Sequence, residues 1–186
     1  MSNTEFTIRR KVFTLFGAKF HVFDQSGGLI GFSRQKAFRL KEDIRFYTDE
    51  SMSCELLAIL ARQVIDFGAS YDVIDSSDGQ KVGALRRKGF RSLVRDEWHV
   101  LDPADRPLGV IREDSVLAAL LRRSILRILP QNFHLADVSG NRLAELRTHF
   151  NPFVHRLTVS VNNQDAIDPL LVLAAGILLL AIEGRQ

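Results

Sequence analysis

The chain has 186 residues, of which 46% are hydrophobic and 25% charged, and this is the balance of a single soluble globular domain spanning residues 1–186. A formal net charge of +3 permits an anionic partner without demanding one. The single cysteine, Cys54, excludes an internal disulfide and fits a reducing, cytoplasmic setting.

The first ten residues contain no apolar run of signal-peptide length, so secretion is not expected. Residues 6–16 place apolar side chains mostly two apart, the period of a half-buried strand. Residues 19–24 form a second such run, residues 25–28 (Gln-Ser-Gly-Gly) a turn, and residues 29–34 a returning strand. Residues 44–48 predict a strand. Residues 56–61 fit a strand or a helix, because a short continuous apolar run has no decisive period. Residues 90–96, 142–150 and 154–161 complete a series of about a dozen strands.

The hairpin at residues 20–31 recurs. Phe20-His-Val-Phe-Asp24, Tyr71-Asp-Val-Ile-Asp75, Trp98-His-Val-Leu-Asp102 and Phe133-His-Leu-Ala-Asp137 share one pattern, each followed by a turn and a second strand. The aspartates suit the first turn position, where a short carboxylate accepts backbone amides, and the glycines that follow permit positive φ. Irregular spacing between copies argues against a solenoid and for one antiparallel sheet. Two helices are expected. Residues 115–130 have helical period, with Arg122, Arg123 and Arg127 late and Pro130 as a stop. This segment either covers one end of the fold or rests on a membrane as a basic amphipathic helix. Residues 168–184 begin with Asp168-Pro169, a cap and a first-turn proline, and end at Gly184. Leu170 to Ile182 is apolar on every face, yet shorter than the roughly 18 residues of a membrane span, so no transmembrane segment is expected. Such a helix needs a wall on all sides. A sheet curled into a closed barrel around it supplies one, with Phe20, Tyr71, Trp98, Phe133 and the Val22 set inward and His21, Asp72, His99 and His134 outward.

Taken together, the Tyr71 and Trp98 hairpins, Lys81-Val-Gly-Ala-Leu-Arg-Arg-Lys88, Asn151-Pro-Phe-Val-His-Arg-Leu157 and the terminal helix resemble the tubby-like superfamily. The likeness is closest to small bacterial LURP-one-related or scramblase-like proteins and spans nearly the whole chain. It implies a mainly β fold, a closed antiparallel barrel of 12 strands around a buried C-terminal hydrophobic helix. In that superfamily, tubby domains bind phosphoinositides through basic residues and scramblases are associated with calcium-triggered lipid movement. LURP-one-related proteins are linked to defence responses. The chain lacks the cysteine-rich segment and proline-rich extension of animal scramblases.

The strongest surface signal is basic: Arg86, Arg87 and Lys88, followed by Arg91 and Arg95, are the candidate lipid-binding residues, able to meet phosphate oxygens as charges or bidentate forks. Arg9, Arg10 and Lys11 form a second cluster and Lys36, Arg39 and Lys41 a third; solvated strand faces are the plain alternative for each. Asp75-Ser-Ser-Asp-Gly79 is a turn rather than a calcium loop, since Arg86 stands where a bidentate Glu is required. The histidines lack metal-ligand spacing, and neither a serine elbow nor a partner for Cys54 marks a catalytic centre. The reading is therefore a binding module without enzymatic activity, metal or cofactor. Its partner is an anionic membrane lipid or a protein, ahead of a scramblase-like role, an enzyme with a pocket at a barrel end, or a nucleic-acid binder.

Overall fold

The computed structural model describes residues 4–11, 18–35, 43–65, 68–88, 97–114, 132–149, 151 and 154–183. The strands are β1 (Thr4–Lys11), β2 (Ala18–Asp24), β3 (Leu29–Gln35), β4 (Ile44–Tyr47), β5 (Glu55–Ile65) and β6 (Gly68–Asp75). They continue as β7 (Lys81–Arg87), β8 (Glu97–Leu101), β9 (Pro107–Glu113), β10 (Asn132–Asp137), β11 (Arg142–His149) and β12 (Val154–Val161). One helix, α1 (Pro169–Glu183), follows. Each strand pairs antiparallel with its sequence neighbours, and β1 pairs with β12, closing the barrel. The expected mainly β barrel with a terminal helix is thus the observed fold. The ambiguous run at 56–61 is strand, tied to β4 on one side and β6 on the other. Residues 90–96, helix 115–130 and the Gly184 cap lie outside the described residues.

The four repeated hairpins share one construction. The inward Val22, Val73, Val100 and Leu135 face Gly31, Gly83, Gly109 and Ala144 directly across the ladder, and a register shift follows each pair. A side chain opposite a minimal one is thus followed by a bulge, which locally bends and twists the sheet, at the same position in each copy. The aspartate then anchors the turn. Asp24 Oδ1 accepts the Gly28 amide (2.7 Å), Asp102 Oδ1 the Arg106 amide (2.8 Å) and Asp137 Oδ1 the Asn141 amide (2.8 Å). Asp75 Oδ1 accepts the Ser77 amide (2.8 Å) in the remaining copy.

The inward parity predicted from the repeat holds: Phe20, Val22, Tyr71 and Val73 are fully buried, and Trp98, Val100, Phe133 and Leu135 nearly so. The outward parity holds too, but His21, Asp72, His99 and His134 are partly covered because each meets an oppositely charged or hydrogen-bonding neighbour. The helix fills the lumen. Every residue from Leu171 to Ala181 other than Gly176 appears in the buried apolar core, and Gly176 is buried as well. Asp168 Oδ1 accepts the Leu170 amide (2.8 Å), satisfying a first-turn donor as a cap should. The helix comes closest to β12 and β1 on one side and to β6 and β7 on the other. Two glycines permit these approaches. A Cβ on Gly83 would stand 2.5 Å from the Leu101 carbonyl oxygen and 2.7 Å from a Leu171 methyl. A Cβ on Gly176 would stand 2.7 Å from the Ile8 Cδ1.

A candidate anion-binding surface

The up-and-down topology gives the barrel two unlike ends. At one, the tight turns join even to odd strands and the helix starts. At the other, odd strands lead to even ones and the helix finishes. Charge follows the same axis. The turn end carries Asp24, Asp49, Asp75, Asp78, Asp102, Asp105, Asp137, Asp165 and Asp168. The helix-exit end carries Arg9, Arg10, Lys11, Lys19, Arg34, Arg86, Arg87, Lys88, Arg112 and Arg156 near the strand termini, against Asp43, Glu97, Glu113 and Asp114, while Lys81, Arg106 and Arg142 stand among the turn carboxylates. This polarity complements the helix, whose positive N-terminal pole lies among the aspartates.

Turn geometry lowers the pKa of several of these carboxylates. The Ser26 hydroxyl and then the Gly28 amide hold Asp24 below the ordinary range, and the Arg106 amide does so for Asp102. The Asn141 side chain and then its amide act likewise on Asp137. The third repeat departs from the pattern. Asp105 stands at positive φ (63°), where the first and fourth copies have Gly27 and Gly140, and its carboxylate bridges Arg62 (2.6 Å) and Lys81 (2.7 Å). Asp72 joins the same two cations at 2.5 and 3.1 Å. Hydrogen bonds from Arg62 and then Lys81 lower Asp105 strongly.

At the helix-exit end the pleat sorts the basic residues. On β1, Arg9 and Lys11 project outward, while Arg10 projects inward with Phe6 and Ile8. Arg10 donates from Nη1 to the Leu180 carbonyl (2.9 Å), placing a cation on an orphan carbonyl of the last helical turns. Across from Arg10 on β12 stands His155, half-buried, its pKa held below 6.5 by burial and then by the Arg10 charge. The predicted cluster on β7 is divided in the same way. Arg86 is exposed on the outer wall, Arg87 turns to the partly covered face opposite Trp98, and Lys88 is exposed beside Glu97 (3.2 Å). Arg91 and Arg95, like Lys36, Arg39 and Lys41, lie outside the described residues.

A second basic surface lies half-way round the barrel, at the seam. Along one row, His21 (β2), Arg9 (β1), Arg156 (β12) and His149 (β11) are directly paired across strands. In the next row toward the rim, Arg34 (β3) is opposite Lys19 (β2), and Lys11 (β1) lies beside Val154. Like charges directly opposite on a sheet are unfavourable by up to about 1 kcal/mol per pair, yet Arg9 faces Arg156 and Lys19 faces Arg34. The Arg9 guanidinium carbon stacks 4.4 Å from the Phe23 ring centre, and its Nε is buried with no hydrogen-bonding partner among the described residues. The carboxylate nearest in influence is Glu50, which meets His21 at 3.0 Å. Its pKa is lowered by the His21 hydrogen bond, and to a lesser extent by the charges of His21, Lys19 and Arg34. Sequence reading marked Arg9, Arg10 and Lys11 as one cluster. Strand closure splits off Arg10 and adds Arg156, which sits 147 positions further on and whose proximity no local pattern signals.

No group of His, Cys, Asp and Glu among the described residues has the arrangement of a metal site. No helix among them is long and apolar enough to cross a membrane.

A sequence model of LURP-one-related proteins matches residues 4–180. The chain belongs to the LURP-one-related family. This family is part of the tubby-like superfamily, in agreement with the barrel and its axial helix. Among solved structures, this LURP-one-related chain is similar to an X-ray structure of a protein from Arabidopsis thaliana. The two are 13% identical, with 99% of this chain and 92% of that one covered, at a TM-score of 0.38. No curated protein matches.

Proposed function

We propose that this LURP-one-related chain is a non-enzymatic binding module whose basic end meets an anionic phospholipid surface. The observation that carries the reading is the separation of charge along the barrel axis, with turn aspartates at one end and arginines and lysines at the other. A bilayer of acidic lipids attracts each nearby Lys or Arg by about 1 kcal/mol. Such a bilayer orients a molecule whose positive charges are gathered at one end. On the β7 side, Arg86, Arg87, Lys88, Arg91 and Arg95 are the candidate contact residues, with the side-chain forks of the arginines matched to phosphate oxygens; the seam surface around Arg9 and Arg156 is the rival contact face. A bound protein with an acidic face is the competing partner.

The test is co-sedimentation with phosphatidylserine-containing vesicles against pure phosphatidylcholine vesicles, at about 0.05 M and about 0.5 M salt. Binding to the acidic vesicles alone, weakened by salt, is the expected result. Failure to bind acidic vesicles at the lower salt overturns the proposal.

A further inference from the structure

The two basic walls of the barrel differ in how their charges are answered. On the β5–β9 side, four cations have a carboxylate within reach, while the exposed Arg86 makes no ion pair with a described residue. Arg62 and Lys81 meet Asp72 and Asp105, and both Lys88 and Arg112 meet Glu97 at 3.2 Å. On the seam wall, Arg9, Lys11, Lys19, Arg34 and Arg156 make no ion pair with a described residue. Four cations of the far wall, but not Arg86, are therefore largely cancelled in place, while on the seam the one carboxylate among the described residues that feels these charges is Glu50, which acts on Lys19 and Arg34 without an ion pair to either. A field that reaches beyond the molecular surface comes from the uncancelled set.

From this difference we infer that the basic end of the barrel meets an anionic phospholipid bilayer on its seam side, with the exit-end part of the outer wall of β3, β2, β1, β12 and β11 laid against the lipid. The band crosses five neighbouring strands, about 19 Å at the usual strand spacing. It therefore offers a strip of charge rather than one point. The chemistry of the strip fits lipid better than the other polyanions. Tight protein interfaces are anchored by buried apolar or aromatic side chains, but the exposed large apolar side chains among the described residues, Leu29, Ile30, Met52 and Val138, are in or beside the turns of the opposite end. Single-stranded nucleic acid is held by open aromatic faces, whereas the Phe23 ring is covered by Arg9. Electrostatic adsorption to a bilayer needs neither. The like-charged pairs Arg9–Arg156 and Lys19–Arg34, unfavourable in water, are relieved when lipid phosphates come between them.

This inference rests on the membrane reading above and chooses the seam face over the β7-side candidates, so the variant containing Lys88 is the one that contact through Arg86, Arg87 and Lys88 would weaken most. Two double variants of the full chain separate the two ideas. Arg9→Gln with Arg156→Gln and Lys88→Gln with Arg112→Gln each remove two positive charges, from the seam wall and the far wall respectively. Binding to phosphatidylserine-containing vesicles is measured for each, with unchanged far-UV circular dichroism and urea midpoint as the check on folding. The seam variant is expected to bind about 20-fold to 30-fold more weakly, from about fivefold per basic residue at the surface. The far-wall variant is expected to lose less than about threefold, because its residues stand far from the bilayer relative to a screening length. As a second readout, a fluorophore on Thr158→Cys in a Cys54→Ser background should be quenched by brominated lipid, and one on Arg112→Cys should not. Equal losses in the two variants, a larger loss in the far-wall variant, or quenching at the Arg112 position only would overturn the seam-side docking while leaving membrane binding in place. Wild-type protein that ignores acidic vesicles but captures oligonucleotides or an acidic polypeptide overturns both.

Discussion

Gly176 offers a direct contest between two opposing effects. Replacing a helix-interior glycine by alanine normally stabilises by about 1 kcal/mol, because alanine loses less backbone freedom on folding. Here the new methyl would lie 2.7 Å from Ile8 Cδ1, 3.1 Å from Leu157 Cδ2 and 3.2 Å from Val159 Cγ2. All three neighbours are fully buried, so each can yield only by pushing on β1 or β12. Overpacking of a close-packed site costs roughly 1–3 kcal/mol. The expected result for Gly176→Ala is therefore a net loss of up to about 2 kcal/mol. That corresponds to a fall in melting temperature of roughly 2–4 °C per kcal/mol for a chain of this size. Gly176→Val adds two more methyl groups to the same filled space and gives up part of the helix propensity, so its loss should exceed about 3 kcal/mol. Urea titrations followed by circular dichroism measure both. If Gly176→Ala instead raises stability by the amount typical of an open helical glycine, the helix is not wedged against the seam as described.

Three further outcomes are expected. Ile177→Asp puts an unpaired carboxylate where no part of the side chain reaches water, and should remove about 4 kcal/mol or more, seen as loss of the cooperative urea transition; a folded variant would contradict the axial placement of the helix. Arg10→Met keeps the length of the stem but deletes the donor to the Leu180 carbonyl, and should cost about 2 kcal/mol in the same assay. His155 is held neutral by burial and by Arg10, so the unfolded chain takes up its proton first as pH falls below 6.5. Stability should therefore decline as pH falls through and below 6.5 in the wild type, and decline less in His155→Gln.

The barrel was legible because its repeat states two requirements at once. In each copy the aromatic and Val (or Leu) positions have to face inward, and the aspartate has to close a turn, so parity and turn are read from the same five residues. The helix was legible because an all-apolar run too short for a membrane admits few other settings. The run at 56–61 was not, since buried strands and buried helices have similar composition and only pairing with β4 and β6 decides between them. The surface was less legible still. Arg86, Arg87 and Lys88 read as one patch along the chain, yet successive residues of a strand point to opposite faces. Which cations are neutralised depends on partners far away in sequence. Asp105 reaches Arg62 across 43 positions, and Arg156 comes to face Arg9 only because the last strand closes on the first. Such pairings follow from closure and register, which no local window contains.

The position of α1 after all twelve strands has a consequence for biosynthesis. A ribosome releases β1 long before its partner β12 exists, and the element that fills the lumen emerges after both. Until then the growing sheet exposes two edges and an unfilled apolar face, the features that promote aggregation. Folding of this domain therefore waits for the end of its own translation. A ribosome stalled with α1 still inside the exit tunnel should carry a protease-sensitive chain, and a few tens of further residues should convert it into a resistant one.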